Sequence, residues 1–409
     1  MSVGMNVLMI SPGFPREMQY FTRGLARVGA NVVGLGDQPE DQLPDEGRRA
    51  LSAYLRVDSF QDEQAIVDQV ADFASRVPLH RVECLWEPCV LLAARIRERL
   101  GLPGLTVERT IPFRDKEIMK RVLDAAGIRT PHHYSATTVA GVRDAVGEIG
   151  YPVIVKPIAG AGSESTYRVD SREQLDAILP ALRHVTEVSV EEFVQGDDMT
   201  FDTLCVDGEI LHYSISTYIP RALYMKENEW VSPITLVLRD PDAPELEAGR
   251  RMGREVIDAL GFQTGYTHME WYRTPSGEAV FGEIGARPPG AGLVDLINYA
   301  SDIDTYTGWA ECAVHARFTQ HVERKYAAAW IYKRAQGQGR IQRYEGLEAI
   351  LSEMGPWIVD LDLNPIGQPR KDWRKVLVGD GKVVLRHPDE ATARAMAERV
   401  AAGLHIVAQ

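Results

Sequence analysis

The sequence is poor in cysteine, in long apolar runs and in clusters of basic residues. Its four cysteines are not spaced as CxxC pairs, so we expect buried free thiols in a reducing compartment. The longest apolar runs have the length of a strand and fall well below the roughly 20 residues that span a bilayer. The N-terminus has neither the basic region nor the apolar core of a signal peptide. We therefore predict a cytoplasmic location without a membrane partner.

The chain is acidic, with a formal net charge of −13. It has no basic run and no stripe of interleaved basic and aromatic residues, which argues against a nucleic-acid or anionic-membrane partner. A nucleotide remains compatible with this charge, because a few lysines in one cleft can bind it. The length of 409 residues exceeds what one hydrophobic core supports, so several domains are expected.

The pattern of apolar residues changes along the chain and indicates mixed α/β and α+β architecture. Residues 1–108 alternate between strands and helices, which predicts a parallel α/β domain. The turn after the first strand lacks the GxGxxG pattern of a dinucleotide site. Residues 109–187 predict an α+β unit, and residues 188–325 predict mainly antiparallel strands. Residues 326–409 predict a small α+β domain, which contains a hairpin in the stretch RKVLVGDGKVVLR (374–386).

The stretch VKPIAGAGSES (155–165) ends a β-branched strand in a lysine and continues as a loop of glycine and serine. One interpretation is an ordinary exit from a strand. The other is a phosphate site, in which Lys156 and bare backbone N–H groups bind the anion.

The stretch HMEWYRTPSGEAVFGEIGARPPG predicts a hairpin that turns at Pro-Ser-Gly. Side chains alternate across a strand, so Glu270 and Glu283 are expected on one face, nearly opposite each other. Two like charges are unfavourable there unless a divalent cation offsets them. Arg287 is expected beside the same cluster. The alternative is a pair of acids that simply face solvent.

Taken in order, these pieces resemble the ATP-grasp superfamily. The resemblance rests on Lys116 at the start of one unit, Lys156 before its glycine loop, the segment EEFVQGDD (191–198) and the acidic hairpin. It implies an ATP-grasp fold with a parallel α/β N-terminal lobe, two α+β grasp lobes and a small α+β C-terminal domain. The run EIGARPPG is similar to the branch that contains L-amino-acid ligases and formate-dependent glycinamide ribonucleotide transformylases.

The resemblance also implies which residues bind ATP. Lys116 and Lys156 would contact its phosphates, and the mobile lid would contain Gly160, Gly162 and Ser163.

The same resemblance assigns the segment 191–198 to the nucleoside. Glu191 would contact the adenine amino group, either directly or through its backbone. Phe193 and Val194 would supply the backbone of the hinge. Asp198 would bind the ribose hydroxyls, although the family usually has glutamate at that position.

For the metal, the resemblance implies that Glu270 and Glu283 hold Mg²⁺, with two ions expected and Mn²⁺ able to substitute. The asparagine that often follows the second acid is replaced by Gly285, so a third side-chain ligand is missing. Arg287 would contact the transferred phosphoryl group or the substrate carboxylate, and Glu87 would face the acceptor amine.

The activity implied is that of an ATP-dependent carboxylate–amine ligase. It forms an amide through an acylphosphate and releases ADP and phosphate, with Arg287 and Lys156 as its catalytic residues. An amino acid or a similar small acid is the expected substrate. One alternative is phosphorylation of formate or bicarbonate, and another is a non-catalytic ATP-binding clamp. Relatives are often homodimers, but the sequence shows no interface.

The resemblance assigns no role to the segment 219–232 or to three histidines. The segment 219–232 lies over the substrate pocket, with Arg221 or Lys226 near a phosphate, or is an exposed connecting loop, which we favour. His132, His133 and His268 are interpreted as solvated or hydrogen-bonded residues rather than catalytic bases.

Overall fold

The computed structural model describes residues 4–158, 166–376 and 379–409. The strands in chain order are β1 Asn6–Ile10, β2 Asn31–Gly36, β3 Leu51–Arg56, β4 Arg81–Cys84, β5 His133–Ala136, β6 Val153–Pro157, β7 Tyr167–Val169, β8 Val188–Glu192, β9 Asp197–Val206, β10 Glu209–Ile219, β11 Ile234–Val237, β12 Gly265–Arg273, β13 Ala279–Gly285, β14 Ala327–Lys333, β15 Gln336–Gly337, β16 Ile341–Glu345, β17 Ile358–Leu363, β18 Gly381–His387 and β19 His405–Ala408. The α-helices are α1 Met18–Arg27, α2 Asp45–Ala50, α3 Glu63–Arg76, α4 Val90–Leu100, α5 Val107–Thr110, α6 Lys116–Ala125, α7 Val139–Ile149, α8 Arg172–Ile178, α9 Ala222–Glu227, α10 Glu247–Leu260, α11 Leu293–Ser301, α12 Thr305–His315, α13 Leu347–Met354 and α14 Glu390–Gly403.

The N-terminal region forms the predicted parallel sheet, in the order β3-β2-β1-β4. Both faces of β1 are covered, which is why its sequence is apolar without alternation. Val7 and Met9 pack in the cluster that contains α1 and α12, whereas Leu8 and Ile10 pack in the cluster that contains α3 and α4. Helix α4 ends at Gly101, whose φ of 65° is the left-handed conformation that glycine favours at a helix end.

The second sheet is antiparallel, in the order β5-β8-β6-β7. Helix α6 precedes it and begins with a cap in which the Asp115 carboxylate accepts from the backbone N–H groups of Glu117 and Ile118. This cap fixes the first turn of the helix, where Lys116 lies. Lys156 lies near the end of β6 and pairs in register with Ser189 of β8.

The third sheet is the largest in the described ranges, with the antiparallel order β13-β12-β9-β10-β11-β14-β18-β17. Helix α10 packs on it closely, because Gly253 brings the helix backbone next to Phe201: a Cβ atom at Gly253 would lie 2.4 Å from the ring. The hairpin β12–β13 confirms the predicted register, since Glu270 pairs directly with Glu283 and a bulge follows before Trp271. This register is the geometric basis of the site.

One predicted element of the C-terminal region is wrong. In the described part of the stretch 374–386, β18 does not pair with the residues just before it, because it pairs with β14 on one side and β17 on the other. Short-range alternation identified β18 but not its partners, which are distant in sequence.

The predicted domain boundaries stay predictions. Sheet pairing nevertheless joins β14 and β18 to β11, and it joins β8 to β5 and β6.

The rest of the C-terminal region forms the sheet β15-β19-β16, whereas the buried residues of α13 and α14 pack in the core of the large sheet. All four cysteines are buried free thiols, as expected. Within the described ranges, no helix combines the length and the apolar character needed to cross a bilayer.

Candidate active site

One pocket lies between the second sheet and the hairpin β12–β13 of the large sheet. It brings together predicted residues from distant parts of the sequence. Its wall includes Lys116, Lys156, Glu191, Asp198, Glu270 and Glu283. The segment 219–232 also contributes to it: Arg221, Ala222 and Leu223 line the pocket, so this segment does lie over the site rather than forming only an exposed connection.

A buried carboxylate between two lysines forms one side of the pocket. Glu191 is 5 % exposed, and its Oε2 lies 2.9 Å from the Nζ of Lys156. Its other oxygen accepts from Lys120. Burial alone would raise the pKa of Glu191, but the two ammonium groups outweigh it and hold this pKa well below its usual range. Burial alone would lower the pKa of Lys156, but Glu191 raises it, so this lysine stays charged.

Lys120 is a site residue that the sequence analysis missed. It is 1 % exposed, and lysine is rarely buried without a partner. The available signal was its position one turn after Lys116, which places both lysines on the same side of α6. Because Lys120 and Lys156 bind the two oxygens of Glu191, its carboxylate is less accessible to a ligand. The backbone of Glu191 is therefore the better placed group for the predicted contact with adenine.

The predicted nucleoside segment lies beside two arginines. The ring of Phe193 has the guanidinium of Arg168 at 4.1 Å and that of Arg221 at 4.9 Å from its centroid. Arg221 also donates to the carbonyl of Val194, at 2.9 Å, and to Asp198, at 2.7 Å. The other oxygen of Asp198 accepts from the N–H of Ala222. A ribose would therefore share Asp198 with the segment 219–232.

Burial raises the pKa of Asp198, and the charge of Arg221 offsets this shift only in part. Glu192, the acid next to Glu191 in the sequence, does not take part in the contact between Asp198 and Arg221. Both of its oxygens accept from the same nitrogen, Nη2 of Arg129, each at 2.9 Å.

The opposite side of the pocket carries the two acids of the hairpin. The side chains of Glu270 and Glu283 are 48 % and 39 % exposed, so both carboxylates open into the pocket. Glu283 lies 3.1 Å from the Nζ of Lys116. Burial raises the pKa of Glu270, but the charges of His268, Arg287 and Lys226 together lower it by more, so the net shift is downward.

His268 is the neighbour of Glu270 and is hydrogen-bonded, as interpreted from the sequence. Its Nδ1 is 2.6 Å from Asp202, and its Nε2 is 3.6 Å from Glu270. Burial lowers the pKa of His268, but the two carboxylates outweigh it and raise the pKa to about 9. His133 is likewise bound, between Glu117 and Asp124.

Arg287 and Glu87 were predicted independently, and the structure brings them together. The Nε of Arg287 donates to Glu87 at 2.8 Å, and Arg114 donates to the other oxygen of Glu87. Burial raises the pKa of Glu87, but the arginines outweigh it, so the net shift is downward. Both oxygens of Glu87 are thus engaged, and an amine would have to share them. The alternative for Arg287 is a purely structural salt bridge, and its contact with Glu87 is compatible with that role as well.

Gly285 lies where the family often has a third metal ligand. A Cβ atom there would lie 3.2 Å from the Cγ of Arg287, so the arginine occupies the space that a longer side chain would need. The predicted lid residues Gly160, Gly162 and Ser163 lie outside the described residues.

The donor set fits a hard divalent cation that is shared with a phosphate. In the described part of the chain, no group of three or more acids, histidines or cysteines could hold a metal alone. Two opposed carboxylates are nevertheless what Mg²⁺ uses when substrate phosphates supply further oxygens. The lysines that would receive those phosphates line the same pocket.

Comparison with known proteins agrees with this architecture. Residues 26–104 match the ATP-grasp N-terminal domain, and residues 113–224 match the ATP-grasp domain. An L-arginine-specific L-amino acid ligase of Bacillus subtilis is 26 % identical over 319 residues, which cover 76 % of each chain. A formate-dependent phosphoribosylglycinamide formyltransferase of Synechococcus sp. (strain CC9902) is 25 % identical over 343 residues, which cover 81 % of this chain and 82 % of that one.

The fold extends this agreement over the whole chain. The crystal structure of an L-amino acid ligase from Bacillus licheniformis superposes with a TM-score of 0.78 at 21 % identity, and the match covers 100 % of both chains. The chain belongs to the ATP-grasp superfamily and is an ATP-dependent ligase that forms carbon–nitrogen bonds.

Proposed function

We propose that this protein joins the carboxylate of an amino acid, or of a similar small acid, to an amine through an acylphosphate. The observation that carries the proposal is the pocket itself. Its wall presents two lysines and two half-exposed carboxylates, which suit the triphosphate of ATP with a divalent cation. The match to L-amino acid ligases supports an amino acid as the donor.

The nucleotide would bind with its phosphates between Lys116 and Lys156. Glu191 would keep Lys156 charged and oriented, and Lys120 would balance the remaining charge of that carboxylate. The backbone at Phe193 and Val194 would receive the adenine. Asp198 would take the ribose hydroxyls, which requires Arg221 to give up or share its contact with that carboxylate.

Glu270 and Glu283 would hold Mg²⁺, with two ions expected. When bound, the metal would neutralise phosphate charge as the terminal phosphoryl group is transferred. The protein's own contribution is to place the two carboxylates opposite each other across the hairpin. The cation would then offset a repulsion that is already built into the sheet.

The first chemical step would be attack by a carboxylate oxygen on the γ-phosphorus, which breaks the bond to ADP. Arg287 is a suitable contact for the substrate carboxylate or the phosphoryl group, because a guanidinium matches planar oxyanions. In the second step the neutral amine attacks the acyl carbon. The N–C bond forms, the C–O bond to phosphate breaks, and the leaving phosphate takes the electron pair. The nitrogen releases one proton, to the phosphate or to solvent, to give the neutral amide. Glu87 would lie near the amine.

A second candidate acid is formate or bicarbonate. The match to a formate-dependent formyltransferase, which covers 81 % of this chain, supports formate as the alternative donor. The chemistry would be the same up to the mixed phosphate anhydride, and only the donor acid would differ.

The test is phosphate release from ATP and Mg²⁺ across L-amino acids, singly and in pairs, with formate and bicarbonate as further donors and hydroxylamine as a trap. A hydroxamate formed from one acid would identify the donor, and a second amino acid that raises the rate would identify the acceptor. A hydroxamate from formate alone would favour the second candidate. Release of AMP and pyrophosphate instead of ADP and phosphate would contradict the proposal.

A further inference from the structure

A row of polar side chains runs behind Glu270 on the large sheet. Asp202 of β9 pairs in register with His268 of β12, and its Oδ1 lies 2.6 Å from the Nδ1 of His268. The Nε2 of the same ring lies 3.6 Å from Oε1 of Glu270. The second oxygen of Asp202 accepts from the hydroxyl of Thr200 at 2.7 Å. The row therefore connects the interior of the sheet to a carboxylate that faces the pocket.

The members of this row are buried until they reach the pocket. Thr200 is fully buried, Asp202 is 1 % exposed and His268 is 8 % exposed. A buried ion pair of this kind adds little net stability compared with apolar residues of the same size. A hydrogen-bonded network does, however, restrict its members to one arrangement. The hydrogen bonds of this row end at His268, whose Nε2 then approaches Glu270 to 3.6 Å, an ion-pair distance rather than a hydrogen bond.

The geometry also defines the orientation of the ring. Because a carboxylate can only accept, the contact with Asp202 requires a hydrogen on Nδ1 of His268. That contact holds the ring in the rotamer that aims Nε2 at Glu270. On the other side, Glu270 faces the like charge of Glu283. A free carboxylate would turn away from that charge, and His268 lies where it can prevent this.

We propose that His268 is a positioning residue, held by Asp202, which fixes Glu270 in the rotamer that presents its carboxylate to the divalent cation. This inference rests on the proposed function, because it requires Glu270 to bind that cation. Groups that hold a metal-binding carboxylate typically change metal affinity by about 10–100-fold when they are removed.

The test is binding of Mn²⁺ in the presence of ADP, followed by the electron paramagnetic resonance signal of free Mn²⁺, which needs no turnover. His268→Leu is expected to weaken binding by about 10–100-fold. His268→Gln places an amide near the position of Nε2 and is expected to lose less. The matched control is His212→Leu, because His212 is also buried, at 5 % exposure, on strand β10 of the same sheet, and it does not line the pocket.

Kinetics give a second readout that a general loss of structure would not reproduce. In His268→Gln the Mg²⁺ concentration for half-maximal activity should rise, while KM for ATP at saturating Mg²⁺ stays near the wild-type value. Asp202→Asn should shift the Mg²⁺ requirement in the same direction. Melting temperatures would identify any variant that does not fold, and the glutamine and asparagine variants then carry the test.

The outcomes separate this inference from the proposed function. Mn²⁺ affinity unchanged in the folded His268 variants, with binding lost in Glu270→Gln, would overturn the role of His268 and leave the metal site standing. Mn²⁺ affinity unchanged in Glu270→Gln itself would overturn both.

Discussion

The two sides of the pocket use the same kind of residue in different ways. On one side, Glu191 is buried and both of its oxygens are bound by lysines. On the other, Glu270 and Glu283 face each other and stay open to the pocket. A carboxylate whose two oxygens are bound by the protein's own lysines holds those lysines in place. A carboxylate that is exposed in the pocket can bind a ligand. This comparison is the reason why we propose a structural role for Glu191 and a chemical role for the hairpin acids.

The largest expected effect is on turnover. Glu283→Gln should lower kcat by about 10²–10³ or more, because a preorganised charge contact in the transition state is lost, while the melting temperature changes little. The control is Glu278→Gln, since Glu278 lies near the turn of the same hairpin with a half-exposed side chain. Near-normal turnover in Glu283→Gln, or equal losses in both variants, would remove the hairpin acids from the chemistry.

For the buried acid Glu191, the main effect is expected on stability rather than on turnover. Glu191→Gln should lower the free energy of unfolding by about 3–5 kcal/mol, because it leaves two lysines without their counter-charge. Glu283→Gln should change it by less than about 1 kcal/mol, since its partner lies at the pocket surface. Urea titrations measure both. Equal stability of the two variants would show that the comparison is wrong.

The stabilising contribution of Glu191 should also depend on pH. The pKa of Glu191 lies below its unfolded value of 4.5, so its stabilising contribution is complete above that pH. It is lost as the pH falls through the lower, folded value. The stability difference between wild type and Glu191→Gln should therefore be constant from pH 7 to about pH 5 and should shrink below that range. A difference that grows on acidification would contradict the assigned sign.

The smallest effect concerns the arginine beside the acids. Gly285→Ala places a methyl group 3.2 Å from the Cγ of Arg287, so the guanidinium must shift by a few tenths of an ångström. We expect a severalfold loss of kcat with little change in KM for ATP. Gly290→Ala is the control, because a Cβ atom there would meet no other atom within 4 Å. If the two variants behaved alike, the position of Arg287 would not limit the reaction.

How much of this site the sequence predicts depends on how far apart its residues lie along the chain. The opposition of Glu270 and Glu283 was predictable, because the Pro-Ser-Gly turn fixes the register of a short hairpin. The pairing of Glu87 with Arg287 was not, because these residues are 200 positions apart and meet only through the tertiary fold. Lys120 was missed for the same reason: its helical face was readable, but its partner Glu191 was not.

The fold shows the same limit. Alternating strands and helices identified the N-terminal sheet, because each strand pairs with neighbours whose order follows from general rules of chain connection. The stretch 374–386 was misread, because a period of two predicts a strand without naming its partner. The partners of β18 come from residues 327–333 and 358–363.

The central claim is that ATP activates a carboxylate as its acylphosphate in this pocket. It is tested most directly with the donor acid labelled by ¹⁸O in its carboxylate, followed by ³¹P NMR of the products. The account predicts that one ¹⁸O atom per turnover appears in inorganic phosphate, because the oxygen that attacks phosphorus leaves with it. Label in AMP, or none in phosphate, would contradict the account.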